Sequence, residues 1–312
     1  MKICLACEKE ITEKTNYNFH KSCLKKTFNS SYLPEITFGY ADLNKEALNI
    51  VGLMSISGAQ IKLPVKIIKK VFTVTAYETS HILKPSPSEY PYLAENENLC
   101  MNMYEKFDSP RETAIHSLIE LKDGKYAYIV KRFDRDYEGK NQFKIHVEDF
   151  CQLLEKDDKY IGSIEQIGKF ILANSAIPHI DTQKLFLRCI FNFLIGNGDA
   201  HLKNFSLRKH PSYGYRLSPV YDLVCSKIYL KNEDDSALSI NGKKNNLNKN
   251  DFKNLATYLE IENRRYFELM NRASYFYDNE LQQHLNNSFL PENIKIEFKK
   301  IIDDRFNRLF SC

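Results

Sequence analysis

A short polar segment, GNGDAHLKNFS at residues 196–206, directly follows the apolar run LFLRCIFNFLI. Asp199 and Asn204 lie five positions apart in this segment, and a third polar residue, Asp222, interrupts the apolar stretch LSPVYDLVCS. Phosphoryl transfer requires a carboxylate that orients the attacking hydroxyl, and a carboxamide and a second carboxylate that hold Mg²⁺ against the nucleotide phosphates. The pattern therefore predicts a phosphotransferase, although Asp-x4-Asn alone also fits an ordinary surface turn.

Residues upstream of this segment suit the phosphates of ATP. Lys84 ends the apolar segment HILK, and Glu97 lies on the next predicted helix, where it is a candidate partner for that lysine. Residues 55–60, SISGAQ, form a small-residue turn whose backbone N–H groups suit phosphate. Each feature alone also fits a solvated side chain or a simple turn. Their order along the chain, ahead of Asp199 and Asp222, favours a kinase site.

The elements that must position these residues begin with strands. From Gly52 to Lys84 apolar and polar residues alternate in places at period two, which indicates strands. The sequence TAIHSLIELKDGKYAYIVKRFDRD predicts a hairpin that turns at Asp123 and Gly124. Between them a proline-rich opening leads into a predicted helix with one apolar face, formed by Leu99, Met103, Tyr104 and Phe107.

Helical patterns dominate after Asp136, and the long apolar helix of the segment DTQKLFLRCIFNFLIG is predicted to begin after the capping residue Asp181. The polar segment 231–250 predicts a long surface connection. Strands followed by helices indicate an α+β protein with segregated layers. The predicted domains are a Cys/His unit at 1–30, a β-rich lobe at 31–135 and a mainly helical lobe at 136–312.

Composition limits the function classes. Lys and Arg number 44 against 40 Asp and Glu, a formal net charge of +4, which is too mild to indicate a nucleic-acid-binding protein by itself. The sequence contains no apolar run of the about 18 residues that a membrane span requires. The first residues, MKICLACEKE, carry cysteines and charges where a signal peptide requires an apolar core. We therefore expect a cytoplasmic protein with no membrane contact.

The N-terminal cysteines have the spacing of a metal site. Cys4-x2-Cys7 is followed, twelve residues later, by His20-x2-Cys23. Three thiolates and an imidazole are a typical ligand set for structural Zn²⁺. The alternative is a group of reduced thiols beside a chance histidine, and the LAC turn lacks the glycine or proline frequent in such sites.

Six segments together resemble the HipA-type toxin kinases and occur in collinear order from about Met54 to the C-terminus: SISGAQIK, HILKP, NENLCMNMYEK, KRFDR, GNGDAHLKNFSL and SPVYDL. The short region before them resembles the HipT form found in three-gene toxin–antitoxin systems. In those systems a small separate protein, HipS, accompanies the DNA-binding antitoxin HipB. The resemblance implies a two-lobed HipA/protein-kinase-like fold, with a β-rich N-lobe and a mainly helical C-lobe.

The resemblance also implies a role for each matching residue. Asp199 orients the substrate hydroxyl, and Asn204 and Asp222 ligate Mg²⁺. Lys84 contacts the ATP phosphates, with Glu97 as its partner. Further implied contacts are the backbone of Lys131 and Phe133 at the adenine, Ser57, Gly58 and Ala59 at the phosphates, and His201 and Lys203 in the catalytic loop, where His201 braces the loop and Lys203 neutralises the transferred phosphate.

A regulatory role for serine is implied as well. Members of the family autophosphorylate a serine just before Gly-Ala-Gln, which here is Ser57, with Ser55 two residues earlier. A phosphate adds about −1.5 to −2 charges. On a loop that otherwise contacts ATP, that charge is expected to lower or tune activity. The alternative is two turn serines without function.

The partners follow from the resemblance alone. It implies an aminoacyl-tRNA synthetase as substrate, tryptophanyl for the HipT form, together with HipS-like and HipB-like partners and DNA contact only through the antitoxin. Two other functions stay open from the residues: a small-molecule or lipid phosphotransferase of kinase-like fold, and a catalytically silent kinase-like scaffold that binds a repressor.

Overall fold

The computed structural model describes residues 2–43, 45, 60–138 and 141–310. The chain forms two compact units. Unit 1 comprises Met1–Asn102, Ala114–Phe143 and Asn286–Leu290, and unit 2 comprises Met103–Thr113, Lys144–Leu285 and Pro291–Cys312.

The strands are β1 (Leu63–Ile68), β2 (Val71–Val74), β3 (His81–Pro85), β4 (His116–Glu120), β5 (Tyr126–Lys131), β6 (Arg135–Glu138), β7 (Asn141–Lys144), β8 (Val147–Asp149), β9 (Ser206–His210) and β10 (Gly214–Leu217). The helices are α1 (Lys21–Phe28), α2 (Leu93–Phe107), α3 (Phe150–Leu153), α4 (Ile164–Asn174), α5 (Pro178–Leu194), α6 (Lys249–Tyr258), α7 (Asn263–Asn279), α8 (Leu281–Asn287) and α9 (Glu292–Phe310). Short 3-10 turns occur at Pro110–Glu112, Leu202–Asn204 and Ser226–Ile228.

A five-stranded antiparallel sheet of order β2-β1-β3-β5-β4 forms the centre of unit 1. The predicted hairpin is confirmed as β4 and β5, and Gly124 occupies the left-handed region at a φ of 79°. That backbone conformation favours glycine because it has no Cβ. Helix α1 packs on this sheet: the Phe28 ring lies 5.5 Å from the Phe72 ring, and His81 shares a hydrogen bond of 2.9 Å with the carbonyl of Thr27.

The predicted helix after the prolines is confirmed as α2, and its apolar face is buried. Tyr104 and Phe107, which belong to unit 2, lie 5.1 Å and 5.0 Å from the ring of Phe191 on α5. Edge-to-face and tilted aromatic contacts at this separation stabilise a core beyond the area they bury. The spacing of the four apolar residues therefore predicts correctly which face of this helix is buried.

The predicted start of the long apolar helix is wrong, because α5 begins at Pro178 rather than after Asp181. Proline suits the first helical position, where its missing N–H has no intrahelical partner. Asp181 lies in the first turn, is fully buried, and accepts a hydrogen bond of 2.9 Å from the Leu217 amide. It also forms an ion pair with Arg216, so it anchors β10 rather than capping a helix.

Two features of unit 2 differ from the sequence-based expectation. A three-stranded antiparallel sheet of order β10-β9-β8 lies among the helices, built from strands of three to five residues that are too short for a clear alternation. The segment 231–250 is anchored rather than simply exposed, because Asp235 pairs with Arg305 and Arg308 of α9. Apolar residues of the same segment, including Leu238 and Leu247, are fully buried.

Within the ranges that the structure describes, no helix combines the length and the apolar character needed to cross a bilayer.

Candidate active site

Helix α5 ends where the polar segment begins, and glycine makes the turn. The backbone of Gly196 has a φ of 68°, the left-handed conformation common just after a helix. The next residue, Asn197, is buried, and its side-chain amide donates to the Asn192 side chain at 2.8 Å. The Gly198 amide donates to Ser226 Oγ at 2.9 Å. These bonds fix the loop so that the following residue, Asp199, is exposed to solvent.

Tyr160, which no sequence motif indicates, contacts Asp199. The Tyr160 hydroxyl donates to Asp199 Oδ1 at 2.8 Å, and burial together with the adjacent Asp199 carboxylate raises the pKa of that hydroxyl. The Tyr160 ring lies edge-on to His201 at 5.3 Å. The backbone beside Tyr160 is also hydrogen-bonded to the loop, because the Leu202 amide donates to the carbonyl of Lys159 at 3.1 Å. Tyr160 therefore restricts the orientation of the Asp199 carboxylate.

Asn204 and His201 organise the rest of the loop. The His201 amide donates to Asn204 Oδ1 at 3.0 Å, which leaves the second lone pair of that oxygen for another donor or a cation. Burial lowers the pKa of His201, while the negative charge of Asp199 opposes that shift. A buried, neutral imidazole suits a role in bracing the loop. The Lys203 side chain is exposed, and its carbonyl accepts from the Tyr221 hydroxyl at 2.9 Å.

Asp222 is held in an unusual backbone conformation beside this loop. Its φ is 56°, in the left-handed region that few residues other than glycine adopt. The preceding Tyr221 contacts the loop through its hydroxyl, which hydrogen-bonds both Lys203 and Ser206. The charge of Asp222 also raises the pKa of His201 slightly against the effect of burial. The structure thus brings Asp199, Asn204 and Asp222 into one region of unit 2.

In unit 1, Lys84 and Glu97 form a buried ion pair. Lys84 lies on β3 and Glu97 on α2, and Lys84 Nζ is 2.6 Å from Glu97 Oε1. Their side chains are only 3% and 1% exposed. The ammonium group also lies 5.3 Å from the centre of the Tyr128 ring, whose π face attracts a cation. The ammonium group of Lys84 is thus fixed at a defined position on the sheet.

The predicted hinge residues have different surroundings. The Lys131 amide donates to the carbonyl of Ile115 at 2.7 Å, so this N–H already has a partner. A backbone contact from Lys131 to a ligand must therefore use the Lys131 carbonyl. Burial lowers the pKa of the Lys131 side chain. Phe133 lies in the turn between β5 and β6. The predicted phosphate-loop residues Ser55, Ser57, Gly58 and Ala59 lie outside the described residues.

The four predicted zinc ligands converge in unit 1. One ligand atom from each of Cys4, Cys7, His20 and Cys23 lies within 4.8 Å of the others. Cys4 is fully buried and the other three are half-buried.

Comparison with known proteins relates residues 54–279 of this chain to one protein family. The HipA-like C-terminal domain family matches residues 54–279. A predicted kinase of Haemophilus influenzae is 35% identical over 214 residues, covering 65% of this chain and 62% of that protein. The serine/threonine-protein kinase toxin HipA of Shewanella oneidensis is 28% identical over 208 residues, covering 60% of this chain and 46% of that protein. The chain therefore matches less than two thirds of the length of these relatives.

A solved structure supports the fold. The HipA–HipB–operator DNA complex of Shewanella oneidensis contains a chain that matches with a TM-score of 0.68 and 20% identity, over 85% of this chain and 70% of that one. The predicted α+β, HipA/protein-kinase-like fold class is confirmed by this likeness. The family match extends over most of the chain, including Lys84, Glu97, Asp199, Asn204 and Asp222. The chain belongs to the HipA-like C-terminal domain family.

Proposed function

We propose that this protein is an ATP-dependent serine/threonine protein kinase. The observation that carries the proposal is the buried pair of Lys84 on a strand and Glu97 on the following helix. In protein kinases a pair of this kind holds the lysine that contacts the ATP phosphates. Burying two charges is costly and gives little net stability, so a purely structural role explains the pair poorly.

The groups of unit 2 supply the transfer chemistry in this proposal. Asp199 orients the attacking hydroxyl and accepts its proton, while Tyr160 holds the carboxylate. Asn204 and Asp222 offer the oxygen ligands that Mg²⁺ prefers, and the amide oxygen of Asn204 keeps a lone pair for it. When bound, Mg²⁺ neutralises charge on the phosphates. Lys203, exposed beside these residues, attracts the transferred phosphoryl group.

The biological role that fits is the toxin of a bacterial toxin–antitoxin system. Support comes from the family and from the HipA relative, whose solved complex contains HipB and operator DNA. We assign to this chain the short HipT form, with HipS-like and HipB-like partners and a cytoplasmic location. Its substrate is an aminoacyl-tRNA synthetase, the tryptophanyl enzyme being favoured, and its phosphorylation arrests growth. Ser55 and Ser57 are the autophosphorylation sites.

The test is transfer of label from γ-labelled ATP with Mg²⁺ to purified synthetases and to the chain itself. The intact chain is expected to label a synthetase on serine, and Asp199→Asn is expected to do so about 1,000-fold more slowly. Mass spectrometry should find phosphate on Ser55 or Ser57 in the intact protein and on neither in the variant. Label on a small molecule instead would support a small-molecule phosphotransferase. Absence of ATP turnover and of autophosphorylation would contradict the kinase proposal and favour a silent scaffold.

A further inference from the structure

The first 28 residues contain a cluster that the proposed kinase reaction does not use. His20 Nδ1 lies 3.4 Å from the sulfur of Cys7 and 3.9 Å from that of Cys23. The four candidate ligand atoms all lie within 4.8 Å of one another. A tetrahedral zinc ion with bonds of about 2.3 Å has ligand atoms about 3.8 Å apart. The spacing of the cluster is therefore close to that of a formed zinc site.

We propose that Cys4, Cys7, His20 and Cys23 bind one structural Zn²⁺, and that the zinc-bound segment fixes the position of helix α2. Three thiolates and an imidazole form a closed set of four nitrogen and sulfur ligands, which favours Zn²⁺ over Mg²⁺ or Ca²⁺. With four protein ligands, the ion has no open position for a substrate. Binding converts three thiols to thiolates and releases their protons to solvent.

The histidine already has the orientation that a metal ligand requires. His20 Nε2 lies 3.1 Å from the carbonyl oxygen of Glu10. A carbonyl can only accept, so Nε2 carries the proton and Nδ1 keeps its lone pair, directed at the sulfurs of Cys7 and Cys23. Metal-binding histidines usually have such an outer partner, which fixes the ring and its tautomer.

The backbone supports the same site. The Glu8 amide donates to the carbonyl of Cys4 at 3.0 Å, and the Cys4 amide donates to the carbonyl of Lys9 at 2.9 Å, so the two cysteines lie on a tight turn. Glu8 adopts a φ of 54°, where glycine is usually preferred. The residue after the second cysteine thus takes the turn conformation even though the sequence lacks a glycine there. The His20 amide donates to the Cys4 sulfur at 3.5 Å, which joins the two halves of the ligand set.

The turn is joined directly to α2 within unit 1. Glu8 Oε1 accepts from the side-chain amide of Asn98 at 2.7 Å, and the carbonyl of Ala6 accepts from that of Asn102 at 2.9 Å. Glu8, Asn98 and Asn102 are 1%, 0% and 4% exposed. Asn98 directly follows Glu97, the partner of Lys84. A metal that fixes the turn therefore also fixes the helix from which Glu97 reaches Lys84.

Metal content is the first test and requires no kinase activity. Full-length protein purified without chelator is expected to contain one zinc per chain by elemental analysis, and Cys23→Ser is expected to lose it. The control is Cys151→Ser: Cys151 is buried in unit 2 and donates to the carbonyl of Lys156 at 3.1 Å, a bond that serine can also make.

Cobalt binding is a second test. Adding Co²⁺ alone to metal-free protein should give thiolate-to-cobalt absorption that Cys23→Ser lacks. Metal-free, fully folded wild-type protein, or a disulfide among these cysteines, would overturn the proposal.

The link to α2 is tested by hydrogen exchange on the intact chain. Removing zinc with a chelator is expected to speed exchange of the amides at 94–102 on the order of tenfold, with no change in α7 of unit 2. Asn98→Ala should retain zinc yet give the same local increase. Unchanged exchange at 94–102 after metal loss would refute the link.

The expected effect of zinc on ATP binding rests on the proposed kinase function. The zinc site and the kinase function can nevertheless fail separately. Zinc removal is expected to weaken ATP binding on the order of tenfold through loss of the Lys84–Glu97 geometry. A chain that binds one zinc and protects α2 but never binds ATP would contradict the kinase function and leave the zinc site standing. Normal phosphoryl transfer by a chain that never contained zinc would contradict the zinc site alone.

Discussion

The two units hold their candidate reactive groups in opposite ways. In unit 1, Lys84 and Glu97 are almost fully buried and bonded directly to each other. In unit 2, Asp199 is exposed and is oriented from the side by the Tyr160 hydroxyl. A group that binds the same phosphates in every cycle benefits from a fixed position, whereas a group that meets a protein hydroxyl must be accessible. The contrast matches the different tasks proposed for the two sets.

The contrast also separates stability from activity. Removing one partner of a buried ion pair leaves an uncompensated charge and costs about 3–5 kcal/mol. A hydrogen bond to an exposed group contributes only about 0.5–1.5 kcal/mol. Changes to Lys84 or Glu97 are therefore expected to affect folding and function together, and changes to Asp199 or Tyr160 to affect function alone.

The largest effect is expected from Lys84→Met. It leaves Glu97 charged and buried, so the free energy of unfolding should fall by about 3–5 kcal/mol in denaturant titrations. The double variant Lys84→Met/Glu97→Leu should recover most of that stability but not ATP binding. Lys66→Met is the matched control, since Lys66 lies on β1 of the same sheet and pairs with Glu78, which is exposed in the loop between β2 and β3. Equal destabilisation by the control would remove the distinction between the pairs.

Next is Asp222→Asn. Loss of a carboxylate that holds Mg²⁺ should lower the transfer rate on the order of 100-fold and raise the Mg²⁺ concentration needed for half of the maximal rate. The thermal midpoint should change little, because Asp222 is only half-buried. Asp157→Asn, an exposed aspartate of the same unit, should leave both the rate and the Mg²⁺ dependence unchanged. An unaltered Mg²⁺ requirement in Asp222→Asn would argue against its role as a ligand.

A smaller effect is expected from Tyr160→Phe. The variant loses the hydrogen bond to Asp199 and should slow transfer about threefold to tenfold, with the affinity for ATP unchanged. Tyr258→Phe, at an exposed tyrosine on α6, is the control. A rate for Tyr160→Phe equal to that of the wild type would mean that the loop orients Asp199 unaided.

The smallest effect concerns pH and Glu233, which lies beneath the loop. Its carboxylate accepts from the Ser226 hydroxyl at 2.8 Å, and burial raises its pKa to about 7. Because the folded-state pKa is above the unfolded value, the protonated form favours folding, and stability falls as the pH rises from about 4.5 through about 7. Glu233→Gln should therefore gain about 1 kcal/mol over the wild type at pH 8 and gain nothing at pH 5, after allowance for partial exposure.

Denaturant titrations at the two pH values check this prediction. Glu155→Gln, at an exposed glutamate of unit 2, should give the same difference from wild type at both. A pH-independent difference for Glu233→Gln would mean that the carboxyl is not protonated in the folded state near neutral pH.

Local sequence patterns were sufficient to predict part of the fold and site. The apolar face of α2 and the turn at Gly124 follow from residues a few positions apart, and the structure has both. The pairing of Lys84 with Glu97 was accessible because a strand and the next helix are close along the chain. The convergence of Cys4, Cys7, His20 and Cys23 likewise follows from spacing.

Other features depend on contacts that no local pattern encodes. Tyr160 reaches Asp199 from 39 residues away, and Glu8 meets Asn98 across 90 residues. Strands β8 to β10 are too short for periodicity, and Asp181, which resembles a helix cap in the sequence, instead bonds the Leu217 amide of β10. In each case the tertiary contact determines the role of the residue.

The role of Asp199 is tested by ATP affinity and single-turnover transfer, measured on the same preparations of wild type and Asp199→Asn. If Asp199 acts on the hydroxyl and not on the nucleotide, the variant should bind ATP with Mg²⁺ as tightly as the wild type, unfold at the same temperature, and transfer phosphate about 1,000-fold more slowly. Transfer by Asp199→Asn at the wild-type rate would show that Asp199 is not the catalytic carboxylate.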